Sequence, residues 1–260
     1  ILSPNWRPSS RLQVGLVSML RALGVPAHGL LGHSVGELGA AWAAGCLSLE
    51  QAAYVAYHRS RLQQTVAGQG TMLATALSPS EARRLLAGRP EVSIAALNAP
   101  KSVTLAGTHE ALASLATELT RQGVFNKLMP VEVAYHSAQM APLEADFASA
   151  LGELAPREPE LPLYSTAHGT RVDGAVHDGA YWWHNARQPV LLQSALEAAC
   201  ADGYSAFLEI GPHPVLSPAI REVLAHVGRD GRTFYCLRRH QPEQLTLLRT
   251  TAELYVSGVE

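Results

Sequence analysis

Cysteine is scarce: Cys46, Cys200 and Cys236 are the three in 260 residues, far apart and without C-x-x-C spacing. So odd and scattered a set argues against a disulfide framework and against a zinc site, and no metal is expected. The three read instead as small buried hydrophobes. No stretch has the length and apolarity of a membrane span. The opening ILSPNWRPSS lacks a basic segment followed by an apolar core, so it is not a secretory signal. With neither feature, a cytoplasmic location and no membrane partner are expected. An initiator Met is also missing, which suggests a piece excised from something larger. Basic excess is lacking too. A formal net charge of -2 argues against a nucleic-acid binder, which would carry a basic patch or stripe. Any anionic ligand must therefore be held by a local cluster.

What is present describes an ordinary globular chain. An apolar fraction of 47% with 16% charged residues, over this length, can bury a sizeable core. Leu12, Leu16, Met19, Leu20 and Leu23 have helical spacing behind a cap at Ser9 or Ser10, and Gly24 and Pro26 end that helix. Gly29-Leu30-Leu31 reads as a buried parallel strand, followed by a helix through Leu38, Ala41 and Trp42 to Gly45. Ser48-Leu49-Glu50-Gln51 is a capping box opening a helix of roughly four turns that carries Arg59. From Thr71 to Val133 the rhythm changes. Strand-like Met72–Leu77, helical Ser80–Leu86, strand-like Val92–Ala96 and Val103–Ala106, helical His109–Arg121 and strand-like Val124–Met129 give β-α-β-β-α-β, a ferredoxin-like unit. Helix and strand then alternate again, with a strand at Phe207–Ile210. The expected fold is α/β: a parallel-sheet, hydrolase-like core over 1–70 and 134–260, interrupted by a ferredoxin-like α+β subdomain over 71–133.

Gly32-x-Ser34-x-Gly36 between a strand and a helix is a nucleophile elbow. Side chains at Gly32 and Gly36 are expected to clash in so sharp a turn. The turn lifts the Ser34 hydroxyl to a helix N-terminus, where backbone N–H groups point toward negative charge. A serine needs a base, and eleven histidines are available. His33 adjoins Ser34 but points the wrong way. His136, in VAYHS, follows the last strand of the insert. His213 lies between two prolines after a strand, where a hydrolase would place its triad histidine. Spacing does not choose between His136 and His213.

Five ordered segments carry a resemblance that does choose. GHSVGELGAAWAAGCLS, AYHRSR, LNAPKSVTLAG, VAYHSAQMAPL and YWWHNARQPVLLQSAL followed by FLEIGPHPVL are together similar to the malonyl-CoA:acyl-carrier-protein transacylases and the acyltransferase domains of fatty-acid and polyketide synthases. The likeness runs from about Arg11 to Gly258. It implies a Ser34 nucleophile and a His136 base. The backbone carbonyl of Gln188, with Asn185 nearby, would orient the histidine in place of a carboxylate. Arg59 would pair with the free carboxylate of a malonyl group, with neighbouring Arg61 on the exposed face. His33, Tyr135 and Asn98 would contribute to substrate binding, and His213 would be structural. The implied substrate is an acyl-CoA, and the implied acceptor is the phosphopantetheine of an acyl carrier protein. Neighbouring synthase domains such as a ketosynthase are further partners, and no cofactor is bound permanently. Arg121 and Lys127 on the insert are candidates for carrier-protein docking.

Family members begin with a strand and a glycine-rich turn carrying a glutamine, upstream of the first helix here. The backbone N–H of Val35 is then the one oxyanion donor at hand, the second being expected from that missing segment. Tyr135 and Val35 resemble the malonyl-selective pattern, Val133 departs from it, and methylmalonyl selectivity is the alternative. Two rival readings are a serine hydrolase using Ser34 and His213, and a non-catalytic docking module.

Overall fold

A computed structural model describes residues 9–258. The segment 1–8 lies outside the described residues, as do the side chains of Ser9 and Ser10 and with them the expected cap. The chain opens on α1 (Ser9–Ala22), β1 (Leu30–Leu31), a 3₁₀ turn (Ser34–Gly36), α2 (Glu37–Ala43) and α3 (Leu49–Gln64). The Ser48–Gln51 capping box forms: Gln51 N–H donates to Ser48 Oγ at 3.1 Å and Ser48 N–H to Gln51 Oε1 at 2.8 Å.

The insert follows as β2 (Thr71–Thr75), α4 (Pro79–Leu85), β3 (Val92–Ala99), β4 (Ser102–Gly107), α5 (His109–Arg121) and β5 (Asn126–Leu128). Its antiparallel sheet has the order β3-β4-β2-β5. The last strand is shorter than the expected 124–129. Leu73, Leu105, Leu112, Leu115 and Leu119 are fully buried beneath the two helices, so the insert has an apolar centre of its own.

After a 3₁₀ segment (Ala138–Leu143) come α6 (Glu144–Leu151), β6 (Leu163–Ser165), β7 (Thr170–Arg171), α7 (Gly179–Arg187), α8 (Leu192–Ala201), β8 (Ala206–Glu209), α9 (Ser217–His226), β9 (Arg232–Tyr235) and α10 (Glu243–Val256). The parallel sheet expected of the core is present as two parallel pairs, β1 with β6 and β8 with β9. The strand β7 adds an antiparallel edge to the first pair. Helices α2, α3, α6 and α7 pack around a centre built on Leu38, Val55, Leu62, Phe147 and Trp182.

One backbone bridge stitches core to insert. Val190 pairs in parallel with Ala96 on β3: Val190 N–H donates to Ala95 O at 2.9 Å, and Leu97 N–H to Val190 O at 2.8 Å. The loop between α7 and α8 is thereby fixed to the insert's sheet. The cysteines are buried and unpaired. Burial raises their thiols, Cys46 to about 11 and Cys236 to about 12, as apolar surroundings disfavour a thiolate. Among the described residues no helix is long and apolar enough to cross a membrane. No group of three or more His, Cys, Asp or Glu side chains there is arranged to hold a metal ion.

Candidate active site

The chain turns from β1 into α2 through Gly32. A Cβ there would lie 2.4 Å from the backbone of Glu37, so no side chain fits. Gly36 is different. Its added Cβ would meet Gln13 at an ordinary 3.7 Å, and its φ is helical at −64°. The expectation that both glycines are sterically required is therefore corrected: among the described residues, the demand falls on Gly32 alone.

Ser34 itself has φ 53° and His136 φ 58°. Left-handed backbone at a non-glycine residue costs about 1–3 kcal/mol. His240 is the other described non-glycine residue with positive φ. Strain of this kind thus gathers at the two residues whose side chains meet. Ser34 Oγ lies 2.7 Å from His136 Nε2, across 102 positions of sequence. His136 Nδ1 is 2.9 Å from the Gln188 carbonyl oxygen. A carbonyl only accepts, so Nδ1 carries the proton, and Nε2 is left to accept from the serine hydroxyl. The insert-bound Val190 holds that carbonyl in place. Burial is the main reason that His136 is pushed down to about 3, with Arg59 and His33 adding to it and the carbonyls of Gln188 and Asn185 opposing it. The ring is neutral at pH 7, as a proton acceptor must be. His213 is elsewhere occupied, its Nδ1 accepting from Arg239 N–H at 3.4 Å. The loop containing His213 is organised by Glu209, whose carboxylate takes the N–H groups of Val215, Leu216 and Ser217 at the start of α9.

Arg59 reaches the same point from α3. It is 2% exposed, whereas Arg61 on the same helix faces solvent. One guanidinium nitrogen donates to Ser34 Oγ at 3.1 Å and another to Asn185 Oδ1. Arg59 Nε has no hydrogen-bond partner among the described residues. Burial lowers its pKa to about 10, with Glu37 and Tyr135 acting the other way, so it stays cationic at pH 7. Asn185 was expected beside the histidine. Its backbone carbonyl lies there, while its side chain turns to Arg59, to Ser34 O at 3.4 Å and to Glu37 Oε2 at 2.9 Å, because a guanidinium and a carboxylate are strong partners for an amide.

The remaining candidates lie around this pair. His33 Nε2 donates to Asn98 Oδ1 at 3.0 Å, with the amide oriented by Asn98 Nδ2 donating to Thr104 Oγ1 at 3.2 Å. This is a second tie between elbow and insert, and burial lowers the pKa of His33. Tyr135 is half-buried, and its hydroxyl feels the Arg59 charge. The Val35 side chain is 36% exposed, and its N–H donates to no acceptor among the described residues. Arg121 and Lys127 are exposed on the insert. Glu37 was not singled out from sequence. A glutamate in the first turn of a helix ordinarily sits in solvent near the dipole's positive end, and its partners at Thr166, Tyr181 and Asn185 are too distant along the chain to signal otherwise.

A model of the acyl transferase domain family matches residues 10–260. The chain belongs to this acyltransferase family. It is 40% identical over 253 residues to the spectinabilin polyketide synthase system protein NorA′ of Streptomyces orinoci, covering 95% of this chain and 7% of that protein. Likewise it is 34% identical over 252 residues to the erythronolide synthase EryA2 of Saccharopolyspora erythraea, covering 96% and 7%. The acyltransferase domain thus spans a small part of those relatives. Among solved structures, the acyltransferase domain from module 8 of the salinomycin polyketide synthase superposes with a TM-score of 0.94 at 34% identity, over 97% of this chain and 60% of that one. FabD from Acinetobacter baumannii gives 0.83 at 22% identity, over 96% and 79%, a likeness of fold alone.

Proposed function

We propose that this domain moves a malonyl group from coenzyme A to the phosphopantetheine thiol of an acyl carrier protein, through an ester on Ser34. The observation that carries the malonyl part is Arg59: a buried cation beside the serine hydroxyl, with Nε still without a partner. A buried charge calls for a counter-charge, and the free carboxylate of a malonyl thioester supplies one. Its planar fork suits a bidentate carboxylate contact.

The reaction follows from the tautomer. Ser34 Oγ bonds to the thioester carbonyl carbon as its proton passes to His136 Nε2, and the imidazolium is stabilised by the Gln188 carbonyl at Nδ1. The carbonyl oxygen takes up negative charge, for which the Val35 N–H is the proposed donor. The C–S bond then breaks, and the proton on His136 goes to the departing sulfur of coenzyme A. Transfer reverses these steps: His136 takes the proton of the phosphopantetheine thiol, sulfur attacks the ester, and Ser34 regains its proton. Pairing of Arg59 with the substrate's carboxylate also removes part of the field that depresses His136, so the base strengthens as substrate binds. His33, Asn98 and Tyr135 are proposed as further substrate contacts, Arg121 and Lys127 as docking residues, and a ketosynthase as a neighbouring domain. Malonyl-CoA is the preferred donor and methylmalonyl-CoA the alternative.

Intact mass after mixing with malonyl-, methylmalonyl- or acetyl-CoA tests the reading. A malonyl adduct lost in Ser34→Ala is expected, and an adduct that persists in that variant overturns it.

A further inference from the structure

Glu37 is the most completely bonded side chain of the core. It is 2% exposed. Its Oε1 accepts from Thr166 N–H, from Thr166 Oγ1 at 2.5 Å and from Ala167 N–H at 3.1 Å. Its Oε2 accepts from Tyr181 Oη at 2.5 Å and Asn185 Nδ2 at 2.9 Å. The two N–H groups, the Tyr181 hydroxyl and the Asn185 amide can all donate to it, while the single Thr166 hydroxyl proton also faces Gly32 O at 2.9 Å. Burial raises its pKa while the Thr166, Tyr181 and Ala167 donors oppose that.

An asparagine amide has two faces, and its orientation is decided by what it meets. Here one end meets Arg59, which can only donate, and the other meets Glu37, which can only accept when ionised. The amide oxygen must therefore face the guanidinium. Glu37 Oε2, with Ser34 O at 3.4 Å, takes the amide's N–H groups and anchors it in that orientation. An amide turned over would present N–H groups to Arg59 Nη1, donor against donor. Glu37 thus reaches Arg59 through one shared amide, without touching the reacting atoms.

We propose that Glu37 is a positioning residue for anionic acyl groups: it keys the Asn185 amide, which holds the Arg59 guanidinium beside Ser34 in the attitude that receives a substrate carboxylate. This rests on the reading of Arg59 given above. Glu37 is thus a selectivity element acting from behind the site, through a single side chain.

The test is a double-mutant cycle read as the ratio of malonyl to acetyl transfer onto Ser34, with folding checked by circular dichroism. Glu37→Gln is expected to lower that ratio roughly ten- to a hundredfold, the range seen when a group that orients a liganding side chain is removed. Asn185→Ala is expected to lower it similarly, and Glu37→Gln added to Asn185→Ala is expected to change it no further. Equal loss of both acyl groups, or two effects that simply multiply, would overturn the proposal. Should Glu37→Gln not fold, Glu37→Asp runs the same cycle: it keeps the charge but draws it back by one methylene from Asn185. Arg59→Ala separates the two readings. If it spares the ratio, the carboxylate role of Arg59 fails. If it collapses the ratio while the Glu37 variants leave it intact, the positioning role alone fails.

Discussion

The insert and the core that surrounds it are built on different ranges of the chain. In the insert, β2, β3, β4 and β5 pair with one another in a single sheet, and the helices between them carry their own caps, Ser78 for α4 and Thr108 for α5. In the core, Leu30 pairs with Leu163. The site brings together comparably distant positions: Ser34 meets His136 across 102 positions and Arg59 meets Asn185 across 126. The insert's strands and one apolar cluster come from a single run of chain, whereas the site exists only when distant segments converge. The seam between them is specific, being the Val190–β3 bridge and the His33–Asn98 bond. Loss of a core link should therefore be felt in chemistry, loss at the seam in selectivity, and a change on the far face of the insert mainly in encounter with a partner.

The largest effect is expected from the core. Removing a general base costs typically 10²–10⁴-fold, and His136→Ala is expected to slow malonyl transfer onto Ser34 by about that much. His213→Ala is expected to lower stability and leave the rate per folded molecule nearly unchanged. Stopped-flow acylation with thermal melts on both variants checks this, and the reverse pattern would restore the hydrolase-type arrangement. The pH dependence has a definite sign. The protonated ring cannot accept the serine proton, and burial holds His136 down to about 3, far below the usual 6.5. Activity should thus persist as pH falls below 6.5, with the acid limb displaced toward pH 3. An acid limb at pH 6.5 would contradict the buried, neutral base. The same shift enters stability: the folded state resists protonation that the unfolded chain accepts, so stability is lost as pH falls from 6.5 toward 3.

The legibility of the molecule follows the same division. The capping box at Ser48, the β-α-β-β-α-β order of the insert and the Gly32 turn are local patterns, and each was visible in neighbouring residues. The division of the core's parallel strands into two pairs was not, because two-residue β1 and three-residue β6 carry almost no periodic signal. For the base, spacing left His136 and His213 equal, and the ordered motifs separated them. Arg59 and Arg61 look alike as letters and differ by which side of α3 they occupy. Glu37 stood inside a quoted motif and still went unread, since its five donors come from Thr166, Ala167, Tyr181 and Asn185. Gly36 was over-read: the motif contains two glycines, but only Gly32 faces backbone too close for a Cβ.

A middle-sized effect is expected at the seam. Tyr135 immediately precedes the base and packs against both the core cluster and the Met72, Ala95 and Ala106 cluster under the insert's sheet. On the proposed reading, its bulky ring restricts the room beside the substrate's α-carbon. One methyl in a pocket is worth about 1–3 kcal/mol, a preference of roughly 10–200-fold. Tyr135→Ser is expected to move the preference from malonyl toward methylmalonyl within that range. Competition between the two thioesters at equal concentration, read by mass, measures it. Wild-type protein that mainly carries methylmalonyl would reverse the assignment.

The smallest effect is expected on the insert's outer surface. Lys127 lies on β5, an edge strand, and Arg121 ends α5 beside it. Both are exposed, and Phe125, Leu128 and Met129 on the same stretch are exposed as well, at 65%, 43% and 38%. A lysine on an edge strand also deters strand-to-strand aggregation, so its charge alone does not establish docking. Salt dependence separates the two roles. Charges that steer an acidic carrier protein act over about 8–10 Å at ordinary ionic strength and fade as salt rises. Reversing both charges, Arg121→Glu with Lys127→Glu, is expected to slow transfer to the carrier protein a few-fold at low salt and not at high salt. Acylation of Ser34 by the coenzyme A thioester should be unaffected, because nothing in the core's network touches either residue. A loss of the same size in both half-reactions would mean that the reversal had disturbed the insert itself. No loss at low salt would leave β5 with the edge-protecting role alone and place the carrier's docking surface elsewhere.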